Sequence, residues 1–418
     1  MESGRIIFHI DANSAFLSWE AAYRLSIGEN IDLRTIPSVV GGDPKTRHGI
    51  VLAKSLPAKA YRIKTGESLF AAAQKCPGLT IIPPDFNLYL KCSNAMVDML
   101  KRFSPDIQRF SVDECFLDYA GHDKSHKAAF DAAFEIKESI KKELGFTVNI
   151  GISTNKLLAK MASDFKKPDL VHTLFPEEVK SKMWPLPVED LFMVGRATKP
   201  KLNKMGIFTI GDLANFDLDI LKFKLKKQGL LIWEYANGIE NSKVNPDSSL
   251  GIKGIGNSTT ISFDVEDRNT AHLILFSLVE TVGMRLRSSG SLCSLISVSI
   301  KNNKFLSCSK QRKLYFCTDS TSTIGEIACQ LFDELWNGDP VRHLGVSVTS
   351  LSSNEKNQLS FFYHGDIEKD EKLNKTVDTI REKYGKNSLI RSSFLYSGLK
   401  PVNGGSGSDS YPVMSSFL

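Results

Sequence analysis

The segment DIQRFSVDECFLDYAG, residues 106–121, has two apolar arms on either side of an acidic pair. The arms IQRFSV and CFLDYA predict a β-hairpin with Asp113 and Glu114 at its bend. Upstream, IIFHIDA, residues 6–12, has the pattern of a buried strand that ends at a third acid, Asp11. Taken singly, an acidic pair in a hairpin is most often a solvated turn, and an Asp after a strand is most often a cap.

The elements around these strands follow a defined order. Helical spacing occurs at 14–25, 87–103 and 127–145, FTVNIGIS is a further strand, and a helix from Asn155 should end near Pro168. This order predicts a split βαβ, ferredoxin-like sheet within an α+β, multidomain chain. The first and third strands of such a sheet lie side by side at its centre, so the three carboxylates can meet at one edge.

The rest of the chain contains further folded regions. With 418 residues, two to four domains are expected. An insertion of short strands and helices follows the first helix, an all-helical region begins near Pro185, and a second α+β region begins near residue 250. The tail holds one helix, KLNKTVDTIREKYG, and ends in a Gly/Ser-rich stretch that predicts disorder.

Composition narrows the functional class only slightly. The net charge of +6 permits nucleic-acid binding without requiring it. There is no apolar run of 18 residues and no secretory signal, so no membrane association is expected. The seven cysteines contain no CxxC pair, which disfavours structural zinc and indicates reduced thiols in a cytoplasm.

Three carboxylates at one place imply cations. They repel one another unless divalent ions neutralise them, and ligand sets made of oxygen atoms favour Mg²⁺. Two such ions, roughly 3.5–4 Å apart, would clamp the attacking and leaving oxygens of phosphoryl transfer.

Three motifs carry a family resemblance. The first is DANSAF (residues 11–16) followed by SWE, the second is FSVDECFLD, and the third is GISTNKLLAKMASDFKKP. In this order and spacing they resemble the motifs of Y-family DNA polymerases, and the likeness covers residues 5 to about 390. With Asn13 at the third place, the chain most resembles the bacterial polymerase V catalytic subunit (UmuC-like). The resemblance implies template-directed, low-fidelity translesion synthesis in an SOS-type damage response.

The resemblance also implies roles for individual residues. Asp11, Asp113 and Glu114 would hold two Mg²⁺ ions, assisted by the carbonyl of Ala12. Phe16 matches the steric gate, a ring beneath the sugar that excludes a 2′-hydroxyl. Without the motif, Phe16 would be interpreted as a core aromatic residue.

Two lysines are expected to bind the incoming triphosphate. Lys167 matches a lysine with that role in the family. Alternatively, Lys166 and Lys167 could simply lie at the solvated end of a helix. In LAKSLPAKAYRIKTG, Leu56 and Lys59 stand where many relatives carry Tyr and Arg. Lys59 is predicted to bind the triphosphate as a point charge, without the bidentate geometry of arginine.

The family's domains map onto the chain by position. The helical region contains LPVEDLFMVGRATKPKLNKMGI, which has the layout of a helix-hairpin-helix around Val194-Gly195-Arg196. Ala197 replaces the usual second glycine, so an ordinary αα-hairpin is an equal interpretation. The little-finger sheet would contact DNA phosphates without reading sequence. The expected boundaries are palm 1–16 and 85–180, fingers 17–84, thumb 181–247, little finger 248–357, and a clamp-binding peptide with a flexible tail 358–418.

A short peptide after the last domain predicts a partner. Gln358-Leu359-Ser360-Phe361-Phe362 is similar to the bacterial sliding-clamp pentapeptide, although a last β-strand would give a similar pattern. Leu359, Phe361 and Phe362 would be apolar anchors oriented by Gln358. The tail beyond it is a candidate contact for a recombinase filament or accessory SOS proteins.

Two other functions remain open from the residues alone. A nucleotide cyclase also places carboxylates at the strand ends of such a sheet, but it needs neither a lysine-rich hairpin domain nor a clamp peptide. A catalytically inactive DNA-binding subunit would not need all three carboxylates.

Overall fold

The computed structural model describes residues 5–47, 49–119, 125–246, 252–353, 367–395 and 397–401. They form two compact units. The first contains the described residues up to 246 except Gly42–Ile50, and the second contains Gly42–Ile50 and the described residues from 252 onward. No helix in these ranges combines the length and the apolar character that a membrane span requires.

The first unit combines sheets with helices of 5 to 19 residues. Its elements are β1 (Ile7–Ala12), α1 (Ala15–Ser26), β2 (Ser38–Gly41), β3 (Val51–Lys54), α2 (Leu56–Ala60), α3 (Leu69–Lys75), β4 (Thr80–Ile82), α4 (Phe86–Leu100), β5 (Ile107–Arg109), β6 (Glu114–Asp118), α5 (His126–Leu144), β7 (Val148–Ser153), α6 (Lys156–Ser163), β8 (Val171–Thr173), α7 (Lys199–Asn203), α8 (Ile210–Ala214), α9 (Leu218–Leu225) and α10 (Lys227–Ala236).

The main sheet has the strand order β5-β6-β1-β7-β8. Strand β1 pairs antiparallel with both β6 and β7, which is the arrangement expected for a ferredoxin-like sheet. The sequence did not predict β8, which pairs parallel to β7 at the edge. A second sheet of the unit, β3-β2-β4, lies in the insertion after α1.

The alternation of side chains along β1 divides the sheet into two faces. Phe8, Ile10 and Ala12 join the core that includes residues of α1, α4 and α5. Ile7 belongs to a separate cluster with Ala159 of α6. Asp11 shares the parity of Ile7, so the acid lies on the face that α6 covers.

Helix α6 packs on this face because a glycine leaves room for it. A Cβ atom built on Gly151 would lie 1.9 Å from the carbonyl oxygen of Ala159 and 2.5 Å from the amide nitrogen of Ser163. The side chain of Asn155 caps the helix by accepting from the amide of Leu158 at 2.8 Å. The glycine and the cap together fix where α6 starts and how closely it approaches the sheet.

Helix α6 is shorter than predicted. It ends at Ser163, and its C-cap is Asp164, well before Pro168. The proline restricts only Lys167, the residue before it, so it does not account for an end at Ser163. The side chain of Asn149 donates to the carbonyls of Ser163 and Lys166, at 3.1 and 2.7 Å, and these bonds hold the segment after Ser163 outside the helix.

The second unit is also α+β, as the sequence predicted for the region that begins near residue 250. Its sheet has the order β11-β10-β12-β9, and its helices α11 and α12 contribute to one shared apolar core. The elements are β9 (Gly254–Val265), α11 (Arg268–Ser288), β10 (Ser291–Asn302), β11 (Ser307–Thr318), α12 (Thr321–Leu335), β12 (Val341–Ser353) and α13 (Ile367–Tyr384).

The predicted tail helix is confirmed as α13, and ion pairs attach it to α11. Arg287 donates to both carboxylate oxygens of Asp378, at 2.6 and 2.9 Å. Arg381 donates to Glu280 at 2.9 Å. The predicted clamp peptide, residues 358–362, lies outside the described residues, as does the Gly/Ser-rich end.

The close contact at Gly151 gives a test of the fold. Gly151→Ala should destabilise the chain by about 1–3 kcal/mol, because the new methyl group would overlap backbone atoms of α6 that cannot rotate away. Urea unfolding followed by circular dichroism measures the change in midpoint. Gly78→Ala is the control, since nothing lies within 4 Å of its added Cβ. Equal midpoints for the two variants would contradict the close packing of α6.

Candidate active site

Two of the three predicted acids lie directly opposite each other on neighbouring strands. Asp11 of β1 pairs with Glu114, the first residue of β6. Asp113 precedes β6, and its carbonyl accepts from the amide of Ala12 at 3.0 Å. Backbone hydrogen bonds therefore bring together acids that are about a hundred residues apart in sequence.

One cavity is lined by all three acids. Ala12 and Phe16, both predicted site residues, also line it. The other lining residues come from the start of α1, from β3 and from the insertion: Ser14, Ala15, Leu52, Ala53, Lys54 and Thr65.

The acids have close polar partners. Lys160 donates to Oε2 of Glu114 at 2.6 Å, and Lys167 donates to Oδ2 of Asp11 at 2.7 Å. The hydroxyl of Ser111 donates to Oδ1 of Asp113 at 2.5 Å. The predicted triphosphate residue Lys167 thus contacts a carboxylate in this structure.

Burial changes the acidity of the cluster. It raises the pKa of Asp11 to about 7, and Glu114 adds to the rise while Lys167 opposes it. Burial likewise raises the pKa of Asp113, although the hydrogen bond from Ser111 lowers that pKa in part. Two of the acids therefore bind protons more readily than free carboxyl groups, because burial disfavours their ionised form.

Glu114 behaves differently. Burial alone would raise its pKa, but His9 and Lys160 outweigh burial and lower the pKa to about 2. Burial also lowers the pKa of His9, so its imidazole is neutral near pH 7. The ammonium of Lys160 is therefore the cation that keeps Glu114 ionised.

The chemistry of these donors fits divalent cations. Buried carboxylate oxygens suit Mg²⁺. Within the described ranges, however, no three His, Cys, Asp or Glu side chains are arranged as a metal-ligand set. Lys160, Lys167 and Ser111 hold carboxylate oxygens that a metal would need, so the metal ligands stay a prediction.

A second cavity, of about 320 Å³, shares Ser14 and Lys54 with the first. Lys59 and Lys167, the two lysines predicted to bind the triphosphate, both line it, as does Leu56. Its four cationic side chains suit a phosphate group. The lining also includes Asn13, Leu17, Ser18, Arg34, Ser55, Thr147 and Pro168.

Sequence reasoning missed two of these cations. Lys54 lies in LAKSLPAKAYRIKTG, the segment that contains the predicted Lys59. This shared segment could have indicated that Lys54 lines the same cavity. Its Nζ donates to the carbonyl of Ile63 at 2.7 Å. Arg34 donates to the carbonyl of Gly145 at 2.6 Å, and no local motif marks it.

Phe16 has two surroundings. Its ring stacks on Tyr89, with centroids 4.4 Å apart, and it also lines the acidic cavity. The hydroxyl of Tyr89 donates to Glu20 at 3.0 Å, which fixes the ring beneath Phe16. The structure therefore combines the core-aromatic interpretation with a position on the cavity wall.

The backbone of Ser14 and the side chain of Asn13 shape the junction of the two cavities. Ser14 adopts a left-handed conformation, with φ 48° and ψ 48°, immediately before α1. Beside it, Asn13 donates to Oδ1 of Asn149 at 3.1 Å and accepts from the amide of Asp169 at 2.9 Å. Asn13 therefore links β1, β7 and the segment after α6.

The predicted helix-hairpin-helix region consists of short elements. A 3₁₀ turn, Val188–Asp190, precedes α7. Between them the amide of Thr198 donates to the carbonyl of Gly195 at 2.9 Å, and Met193 has a positive φ of 73°. The chain thus makes a tight turn at the position expected from the sequence.

Comparison with family models gives three matches along the chain. The model of the impB/mucB/samB family matches residues 10–164, and the model of its C-terminal domain matches residues 252–361. The IMS family HHH motif matches residues 176–207, which include the turn at Gly195.

Two similar bacterial proteins are both named DNA polymerase IV. A "DNA polymerase IV" of Clostridium acetobutylicum is 50% identical over 94% of this chain and 98% of its own length. One of Acetivibrio thermocellus is 39% identical over 94% of this chain and 98% of its own length. The expected place in the polymerase V branch is not supported, because these similar proteins are named DNA polymerase IV.

Solved structures show the same fold. A Y-family DNA polymerase chimera superposes with a TM-score of 0.73 at 21% identity, over 84% of this chain and all of that chain. A Dbh ternary complex has a TM-score of 0.56 at 21% identity, over 82% of this chain and 98% of its own. The α+β multidomain fold class is therefore confirmed.

The buried carboxylate of Asp11 gives a test of the site's electrostatics. Its pKa is about 7 in the folded chain and about 3.9 when unfolded. Between these values the folded state binds more protons, so Asp11 lowers stability as the pH rises, and the cost is complete above pH 7. In EDTA, Asp11→Asn should raise the melting temperature clearly at pH 8, because the free energy of unfolding increases by on the order of a few kcal/mol. The increase at pH 5 should be smaller. Equal gains at both pH values would contradict the raised pKa.

Proposed function

Because this chain belongs to the Y family of DNA polymerases, we propose that it performs translesion synthesis by two-metal phosphoryl transfer. It is a DNA-directed DNA polymerase, because a relative named DNA polymerase IV is 50% identical to it over nearly the whole of both chains. The observation that carries the proposed mechanism is the pairing of Asp11 with Glu114, with Asp113 in the same cavity.

The acids would hold the metal ions. Asp11, Asp113 and Glu114, with the carbonyl of Ala12, are the proposed ligands of two Mg²⁺ ions. When bound, such ions lower the pKa of an attacking hydroxyl and neutralise charge on the leaving group. The raised pKa values of Asp11 and Asp113 support this assignment, because a bound cation would remove the cost of their burial.

The neighbouring cavity would hold the triphosphate of a deoxynucleotide. Lys59 is exposed there, and Lys54 and Arg34 add positive charge in place of the missing arginine. Lys167 lies between Asp11 and this cavity. Its ammonium has three donors and contacts the carboxylates of Asp11 and Asp164, so the third donor is available to a phosphate oxygen.

The two units suggest how DNA would be held. In the family's terms, residues 1–16 and 85–180 are the proposed palm, 17–84 the fingers, 181–247 the thumb and 248–357 the little finger. The small residues of the fingers would leave a roomy site that tolerates distorted bases. The solved Dbh ternary complex supports primer-template and nucleotide binding by this fold.

The cellular setting extends the proposal. The relatives named DNA polymerase IV come from bacteria, which supports that branch of the family and a bacterial cytoplasm as the place of action. Involvement in an SOS response, and binding of the sliding clamp by Gln358, Leu359, Phe361 and Phe362, remain predictions from the sequence.

Different observations disfavour the two alternative functions, a nucleotide cyclase and an inactive DNA-binding subunit. A nucleotide cyclase is disfavoured by the second α+β unit and by the match to the family's C-terminal domain model. An inactive DNA-binding subunit is disfavoured because all three acids line one cavity.

The decisive experiment is primer extension with a single acid changed. Asp113→Asn should reduce templated extension in Mg²⁺ by about 10²–10³-fold or more, because it removes a charge that would hold the metal ions. Asp118→Asn is the matched control, since Asp118 lies at the far end of β6, pairs with Arg5 at 2.9 Å and does not line the acidic cavity. Full activity of Asp113→Asn would refute the two-metal assignment.

Sugar selection gives an independent test. Phe16→Leu should increase ribonucleotide incorporation relative to deoxynucleotide incorporation about tenfold or more, because a smaller side chain leaves room for a 2′-hydroxyl. Phe86→Leu is the control, since that ring meets Phe16 edge-on at 6.1 Å but does not line the cavity. Ratios of kcat/KM measure the effect, and an equal change in both variants would assign Phe16 to packing alone.

A further inference from the structure

Lys160 is a nearly buried cation behind the acidic cavity. It is 8% exposed, and its Nζ donates to Oε2 of Glu114 at 2.6 Å. The same Nζ lies 4.9 Å from the ring centroid of Phe110 and 5.8 Å from that of Phe192. The two rings meet edge-on at 6.0 Å, so Lys160 is enclosed by one carboxylate and two aromatic faces.

Burial of this ammonium requires compensation. A charged group loses hydration when it is buried, and only a well-placed counterion and polarisable neighbours offset that loss. Lys160 has both. Its backbone is equally constrained, because α6 contacts Gly151 of β7 and the hydroxyl of Ser163 donates to the carbonyl of Lys160 at 2.8 Å.

Lys156, one helical turn earlier, provides a natural comparison. It is also buried, and its Nζ lies 5.8 Å from the ring of Phe116. Its hydrogen-bond partner is the neutral amide of Gln108, at 3.2 Å. The two lysines therefore share a helix, burial and an aromatic neighbour, and they differ in whether the partner is a site carboxylate.

We propose that Lys160 is a positioning residue that fixes the carboxylate of Glu114 and couples it to Phe192. The proposal rests on the proposed role of Glu114 as a metal ligand. Lys160 and His9 both contact Oε2 of Glu114, and within the described residues neither contact involves Oε1. The ammonium thereby selects which carboxylate oxygen is available to a metal ion.

Phe192 connects this contact to the helical segment, residues 188–236. Phe192 follows the 3₁₀ turn Val188–Asp190, and its ring stacks with that of Tyr235 in α10 at 6.3 Å. The position of Lys160 thus depends on packing in the segment proposed as the thumb. A shift of that segment would change the orientation of Glu114 without a direct contact between them.

A measurement without metal tests the ion pair. In EDTA, Lys160→Met should lower the melting temperature, and adding Glu114→Gln should restore most of the loss, because the uncompensated carboxylate is then neutral. The loss caused by Lys156→Met should not be restored by Glu114→Gln. Equal effects of Glu114→Gln in the two backgrounds would overturn the proposal.

A kinetic measurement tests positioning. Lys160→Met should reduce the maximal extension rate in Mg²⁺ by about 10- to 100-fold, with unchanged affinity for primer-template. Mn²⁺ should recover part of the rate, because Mg²⁺ demands the stricter ligand geometry. Lys160→Arg should lose less than Lys160→Met, since it keeps the charge. An equal rate in Lys160→Met and Lys156→Met would refute positioning.

The coupling to Phe192 has its own variant, which keeps the proposal testable if Lys160→Met does not fold. Phe192→Leu should lower the extension rate in the same direction by a smaller factor and add little in the Lys160→Met background. Full additivity would remove Phe192 from the proposal. The EDTA measurement does not depend on metal binding, so its failure is distinguishable from failure of the two-metal function, which Asp113→Asn reports.

Discussion

The packing of α6 against Gly151 is the constraint on which the site depends. Because the glycine has no Cβ, the backbone of α6 approaches the sheet closely and covers the face that carries Asp11 and Glu114. The same helix supplies Lys160, and the segment after it supplies Lys167. One close approach therefore delivers both the burial that makes the acids costly and the cations that make them tolerable.

The sequence predicted local features better than pairings between distant residues. The apolar run in IIFHIDA and the acidic hairpin predicted β1 and β6, and the family motifs indicated the same acids. The early end of α6 was not predicted, because it depends on the side chain of Asn149 in β7, which no sequence pattern near α6 indicates. The cation Arg34 was missed for the same reason, since only folding brings it to the cavity.

The error about the branch has a physical explanation. Asn13 looked like a marker of one polymerase branch, yet its side chain bonds to Asn149 and to the amide of Asp169. A residue that ties strands together can be retained for folding whatever reaction the site performs. The similarity over nearly the full length to proteins named DNA polymerase IV outweighs that single position.

The left-handed conformation of Ser14 limits how this protein can evolve. A non-glycine residue in that conformation costs about 1–2 kcal/mol, and β-branched side chains are almost excluded from it. Because Ser14 borders both cavities, the wall there is formed by backbone and a short side chain. Lineages that adapt to new lesions are therefore expected to vary the surrounding cavity wall, while β-branched residues stay rare at position 14.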